Sequence, residues 1–148
     1  FAGRGFTEAI RTHGNEEGMA VTSALAGRDF RGLCFVNLVD FDMLYGHRND
    51  ALGYAAALTR FDAWLAGFLP GMRPDDVLIL TADHGCDPGD VSTDHTREYV
   101  PIIACGPAVR PTALGIRATY ADIGATAAEL LGCAYRGAGK SFAGEITG

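Results

Sequence analysis

The sequence predicts an α/β fold, a partial core of the alkaline-phosphatase type with a mostly parallel sheet and flanking helices. Three observations carry that expectation. Nearly continuous apolar runs of strand length stand at residues 33 to 39 and 77 to 82, the pattern of strands covered on both faces. An amphipathic stretch separates them, and strand, helix, strand in that order implies a right-handed parallel crossover. Polar residues gather just after the strand ends, where open α/β sheets carry their sites.

The elements follow in order. Residues 16 to 27 are Ala-rich and suit a short helix closed by Gly27. The run Leu33-Cys34-Phe35-Val36-Asn37-Leu38-Val39 reads as strand one. Tyr54, Leu58, Phe61, Leu65, Phe68 and Met72 then recur in steps of three and four, one stripe of a helix. Asp50 can cap its start, and Pro70 with Gly71 limits its end. Val77-Leu78-Ile79-Leu80-Thr81-Ala82 reads as strand two, followed by a loop over residues 85 to 96. Tyr99 to Cys105 reads as strand three, with Pro101 favouring an edge or the first residues of the strand. Thr119 ahead of Tyr120-Ala121-Asp122 opens a last helix that runs to Gly132.

The 148 residues, 48% of them hydrophobic, supply material for one core. Net charge is −6 and the twelve Lys and Arg are scattered, which gives no footprint for nucleic acid or an anionic membrane. A small-molecule partner is expected, and an anionic one would need local cations. Cys34, Cys86, Cys105 and Cys133 form no C-x-x-C pair, and this fits a reducing, cytoplasmic setting. Neither a run of about 18 apolar residues nor a signal-peptide pattern is present, so the protein is expected to be soluble. The opening Phe1-Ala2-Gly3-Arg4-Gly5 reads as a loop and marks the chain as a fragment or a processed product.

Three histidines lie beside carboxylates in post-strand loops: Asp40-Phe41-Asp42-Met43-Leu44-Tyr45-Gly46-His47, Asp83-His84 and Asp94-His95. Mixed imidazole and carboxylate donors suit Zn, Mn or Fe better than Mg or Ca. So many donors suit two metals about 4 Å apart, an arrangement that serves phosphoryl transfer. A lone Asp-His pair is more often loop polarity, and Asp40 can equally cap the turn after strand one. Placement of all three groups after strands is what favours a site. His13 is read as a loop residue, and Cys86 is left out because nothing near it in sequence would lower a thiol pKa.

The segments Asn37-Leu38-Val39-Asp40-Phe41-Asp42-Met43-Leu44-Tyr45-Gly46-His47-Arg48, Thr81-Ala82-Asp83-His84-Gly85 with Asp87-Pro88, and Thr93-Asp94-His95-Thr96-Arg97-Glu98-Tyr99-Val100-Pro101 closely resemble the C-terminal motifs of the phosphopentomutases of the alkaline-phosphatase superfamily. The resemblance extends over Gly5 to Met19, Ala121-Asp122-Ile123-Gly124-Ala125-Thr126 and Gly139-Lys140-Ser141-Phe142, nearly the whole chain. It implies one metal, commonly manganese, on Asp42, His47 and His95, and a second on Asp83 and His84 with an upstream aspartate. It implies a phosphorylated threonine as nucleophile, also upstream, and an inserted cap domain. None of these upstream parts has a counterpart in this sequence. Residues 1 to 148 would therefore be the C-terminal part of the metal-binding core domain, inactive alone, with the missing N-terminal part of the enzyme as partner.

The implied reaction interconverts ribose 1-phosphate and ribose 5-phosphate, and the 2-deoxy pair, in nucleoside salvage. Arg48 and Arg97 are weak candidates for phosphate contact, with a loop-holding role at least as open, and Lys140 is weaker. A rival is cofactor-independent phosphoglycerate mutase, whose first-motif aspartate and histidine are four apart where Asp42 and His47 are five apart. A non-catalytic metal-binding remnant is a second alternative. Ser92, Thr93 and Thr96 flank His95 but sit on one short loop, poorly placed to act as a nucleophile between two metals.

Overall fold

Each helix starts where local chemistry lets it. In a computed structural model describing residues 3 to 148, α1 spans Asn15–Ala26 and α2 spans Ala51–Phe68. The loop reading at Phe1 and Ala2 lies outside the described residues. Asp50 caps α2 as expected, its carboxylate accepting from the Gly53 amide at 2.8 Å. A 3-10 turn at Leu69–Gly71, carrying Pro70, ends the helix. Along α2 a ladder of rings runs from Phe41 through Phe61 and Trp64 to Phe68, with centroids 4.8 to 6.4 Å apart. Trp64 donates to Ser23 of α1 at 2.9 Å, so α2 contacts both α1 and the Phe41 loop.

Two strands follow, β1 (Leu78–Thr81) and β2 (Ile102–Cys105), paired antiparallel with Leu78 opposite Cys105 and Thr81 opposite Ile102. Pro101 stands immediately before β2, where a missing N–H costs no ladder bond. At the C-terminal end, α3 (Ala121–Leu130) and the short α4 (Ala143–Ile146) enclose the best-buried cluster, Phe142, Ile146 and Thr126. Thr119 accepts from the Ala121 amide at 3.2 Å, the expected helix start. Asp122, 3% exposed, accepts from Arg117 and from the Lys140 amide and pins the last segment to α3.

The expected mostly parallel sheet is not there. Among the described residues the chain is mostly helical, and its sheet has two antiparallel strands. Residues 33 to 38 run without regular structure or a ladder partner, so helix α2 connects no pair of parallel strands. Apolar composition sets a preference for extended backbone, but a strand also needs a neighbour about 4.8 Å away to take its N–H and C=O groups. None lies there. Leu33 and Phe35 are instead 66% and 78% exposed. Total accessible surface is 10223 Å², against about 7200 Å² expected for a compact monomer of this mass.

Candidate metal centre

The loop after residue 39 is wound irregularly, a wide turn followed by a tight one. Phe41–Tyr45 forms one π-helical turn, and Gly46–Arg48 forms a 3-10 turn. Such local rewinding is frequent at functional sites because it re-aims side chains. The loop ends at Asn49, whose φ of 52° is in the left-handed region that Asn tolerates. Asn49 Nδ2 donates to the Asp90 carbonyl at 2.6 Å and ties this loop to the one after β1. Gly46 makes their approach possible: a Cβ there would run into Cys86 Sγ and the Phe41 carbonyl oxygen.

The second loop is closed by a bridge between Gly85 and Thr96, with the Thr96 amide donating to the Gly85 carbonyl at 3.0 Å. That bridge swings His95 back over the first loop. His95 Nε2 and His47 Nε2 then each lie 3.3 Å from the same atom, Asp42 Oδ1. The three donor atoms fall within 4.8 Å of one another.

Hydrogen bonding orients the rings. His47 Nδ1 lies 2.5 Å from the Thr93 carbonyl oxygen, and His84 Nδ1 lies 3.0 Å from that of Gly85. A carbonyl can only accept, so both Nδ1 atoms carry hydrogen and each Nε2 is left as the outward-facing donor atom. Asp42 Oδ1 is buried and has no hydrogen-bond partner. Lone pairs facing lone pairs at 3.3 Å are unfavourable unless positive charge lies between them. Donor atoms about 2.1 Å from one cation at tetrahedral angles would be about 3.4 Å apart, which matches both edges to Asp42 Oδ1. The residues therefore fit a divalent cation by spacing, by donor chemistry and by the orphaned oxygen.

Of the five residues expected as ligands, Asp42, His47 and His95 form this cluster. His84 stands against it, its ring stacked on His95 with centroids 3.6 Å apart. Asp83 lies beyond, 3.5 Å from His84 Nε2 and mostly exposed. Arg48 and Arg97 are exposed and form no ion pair among the described residues. Lys140 contributes its backbone amide to Asp122. His13, just ahead of α1, has a carboxylate partner, its Nδ1 lying 2.8 Å from Glu17 four residues on. Burial, with the Asp42, Asp87 and Glu98 charges, pushes the Cys86 thiol up, which keeps a reactive thiolate from forming.

Near His95, Ser92 Oγ accepts from the Asp94 amide at 3.0 Å, and the Thr93 carbonyl is taken by His47. The Thr96 hydroxyl is buried without a partner. Asp40 does not sit with the metal cluster; its carboxylate accepts from the Asn15 amide at 2.7 Å. Sequence reasoning passed over Asn15, Gly46 and the Thr93 carbonyl. An Asn at a helix start is a visible signal for the first; backbone acceptors and a close loop approach leave none.

Comparison with known proteins places the chain among metalloenzymes. A model of the metalloenzyme superfamily matches residues 5–135. A phosphopentomutase of Anaeromyxobacter dehalogenans (strain 2CP-C) is 55% identical over 147 residues, 99% of this chain and 37% of the relative. One from Carboxydothermus hydrogenoformans is 52% identical over 147 residues, 99% of this chain and 38% of its own length. One from Lachnoclostridium phytofermentans is 52% identical over 143 residues, 96% of this chain and 37% of its own length. The chain thus spans somewhat more than a third of the length of the curated relatives it matches.

Proposed function

Because the chain belongs to the metalloenzyme superfamily and is a homologue of phosphopentomutases, we propose that it is the metal-binding C-terminal part of an enzyme that interconverts ribose or 2-deoxyribose 1-phosphate and 5-phosphate. The observation that carries this reading is the convergence of two imidazole Nε2 atoms on the orphaned Asp42 Oδ1. In it, Asp42, His47 and His95 hold one divalent ion, most simply manganese. Asp83 and His84 are two ligands of a second, completed by an aspartate from the remainder of the enzyme, as is the nucleophilic threonine.

When bound, the two cations would offset charge on the transferring phosphoryl oxygens. This chain's own residues supply orientation. The Thr93 and Gly85 carbonyls hold the His47 and His84 rings in the tautomer that frees Nε2. The His84–His95 stack fixes the separation of the two ligand groups. Arg48 and Arg97, exposed beside ligand residues, have guanidinium groups available to a sugar phosphate. Alone the chain should be inert, and the setting we propose is the cytoplasm.

The test is a coupled assay on the intact parent enzyme offered ribose 1-phosphate and 3-phosphoglycerate with manganese. Formation of ribose 5-phosphate is expected, with loss of turnover in His95→Ala. Preference for the glycerate would overturn the reading in favour of a phosphoglycerate mutase.

A further inference from the structure

We propose that Asn15 is a positioning residue for the Asp42–His47 loop, acting through a reciprocal pair of hydrogen bonds with Asp40; this rests on the metal reading above. The Asn15 amide donates to Asp40 Oδ2 at 2.7 Å, and the Asp40 amide donates to Asn15 Oδ1 at 3.0 Å. The two residues are 25 apart in sequence. Each starts a helical turn, so each side chain satisfies the N–H that the other's turn leaves without a partner. An ordinary cap works within one helix; this one works between two, and locks their relative position.

Its neighbours support the same joint. A Cβ on Gly14 would lie 3.0 Å from Asp40 Oδ2, and one on Gly18 would lie 2.8 Å from Leu38, so α1 presents bare backbone along residues 38 to 40. Asn15 is buried, 7% exposed. The far end of the π-helical turn is tethered to the same helix: Arg60 lies 3.3 Å from Glu16 and donates to the Tyr45 hydroxyl at 3.2 Å. Asp42 falls between the two tethers. Freeing the Asp40 end lets the turn unwind and carries Asp42 Oδ1 away from the imidazoles.

Manganese binding to the full 148-residue chain, read from the electron paramagnetic resonance of free Mn, is the test. Asn15→Ala should weaken Kd by about 10-fold or more, the effect of removing a group that orients a ligand. Asp40→Asn keeps an oxygen facing the Asn15 amide and should stay within about threefold of wild type, whereas Asp40→Ala should match Asn15→Ala. The double alanine variant should be no weaker than either single one, the mark of a shared interaction. If Asn15→Ala does not fold by circular dichroism, Asn15→Gln decides, since it keeps the amide and moves the oxygen by one carbon. A wild-type Kd in a folded Asn15 variant with lowered melting temperature would reduce the clasp to a helix cap and overturn the proposal. Failure of the wild-type chain to bind manganese would instead sink the metal reading, and this inference with it.

Discussion

Replacing His95 by alanine separates metal binding from folding more cleanly than any other change at the site. The His95 side chain is 49% exposed, so without metal the variant should differ from wild type by no more than about 0.5 kcal/mol. With metal the difference is large. At manganese about 100 times Kd, a ligand that binds only the folded chain adds about 2.7 kcal/mol. At about 2–4 °C per kcal/mol for a chain of this size, melting should rise by about 5–11 °C over the chelated protein. Loss of one of the three donors Asp42, His47 and His95 should weaken Kd by at least about 100-fold, leaving a rise of about 1–2 °C at the same concentration. Thermal melting by circular dichroism, with chelator and with manganese, reads both numbers. Proteolysis in the loop carrying Val91, 98% exposed, should slow in step for wild type alone. His13→Ala, outside the donor cluster and paired with Glu17, is the control. An equal manganese increment in wild type and His95→Ala, or none in wild type, would refute the assignment.

Three further outcomes follow from the packing. Gly46→Ala drives a Cβ into Cys86 Sγ and the Phe41 carbonyl; it should cost about 1–3 kcal/mol and weaken manganese binding, and a second Cys86→Ala change should restore part of both. Phe142→Ala, which empties a fully buried site beneath the Arg117 guanidinium, should cost about 3–5 kcal/mol in urea unfolding, and a loss under about 1 kcal/mol would contradict the placement of the core. The Lys140 amide, with the Arg117 guanidinium, holds the Asp122 carboxyl below its ordinary range against the opposing effect of burial. That contribution is present above the unfolded-state value of about 3.9 and is lost as pH falls through the lower folded value. Asp122→Asn should therefore flatten the acid limb of stability against pH while lowering the neutral plateau, and an unchanged acid limb would rule the residue out.

Local chemistry was legible where it is local. Asp50 and the apolar stripe on α2 announce both the helix and its start, since cap and periodicity lie within one element. β1 and β2 fall inside the predicted runs, trimmed at their ends. The pairing of strands was not legible: Leu33 to Leu38 prefers extended backbone, but nothing in those letters says which neighbour, or which direction, a ladder takes. The expected ligands stand out because Asp and His beside strand ends are conspicuous, and the donor atoms of three of the five do meet. The remaining two do so only through the His84 ring. The Asn15–Asp40 clasp stayed hidden because both partners have an innocent local explanation as caps, and only folding sets them against each other.

The unusually large accessible surface has a thermodynamic consequence. An unfolded chain of this mass exposes about 22600 Å², so this fold withdraws only about four-fifths of the area that a compact protein of its size would. Denaturant sensitivity and the heat capacity of unfolding both scale with that area. The transition of the metal-free chain should accordingly be shallow in urea and broad on heating, a soft melt in which the segment around Phe35 contributes almost nothing to cooperativity.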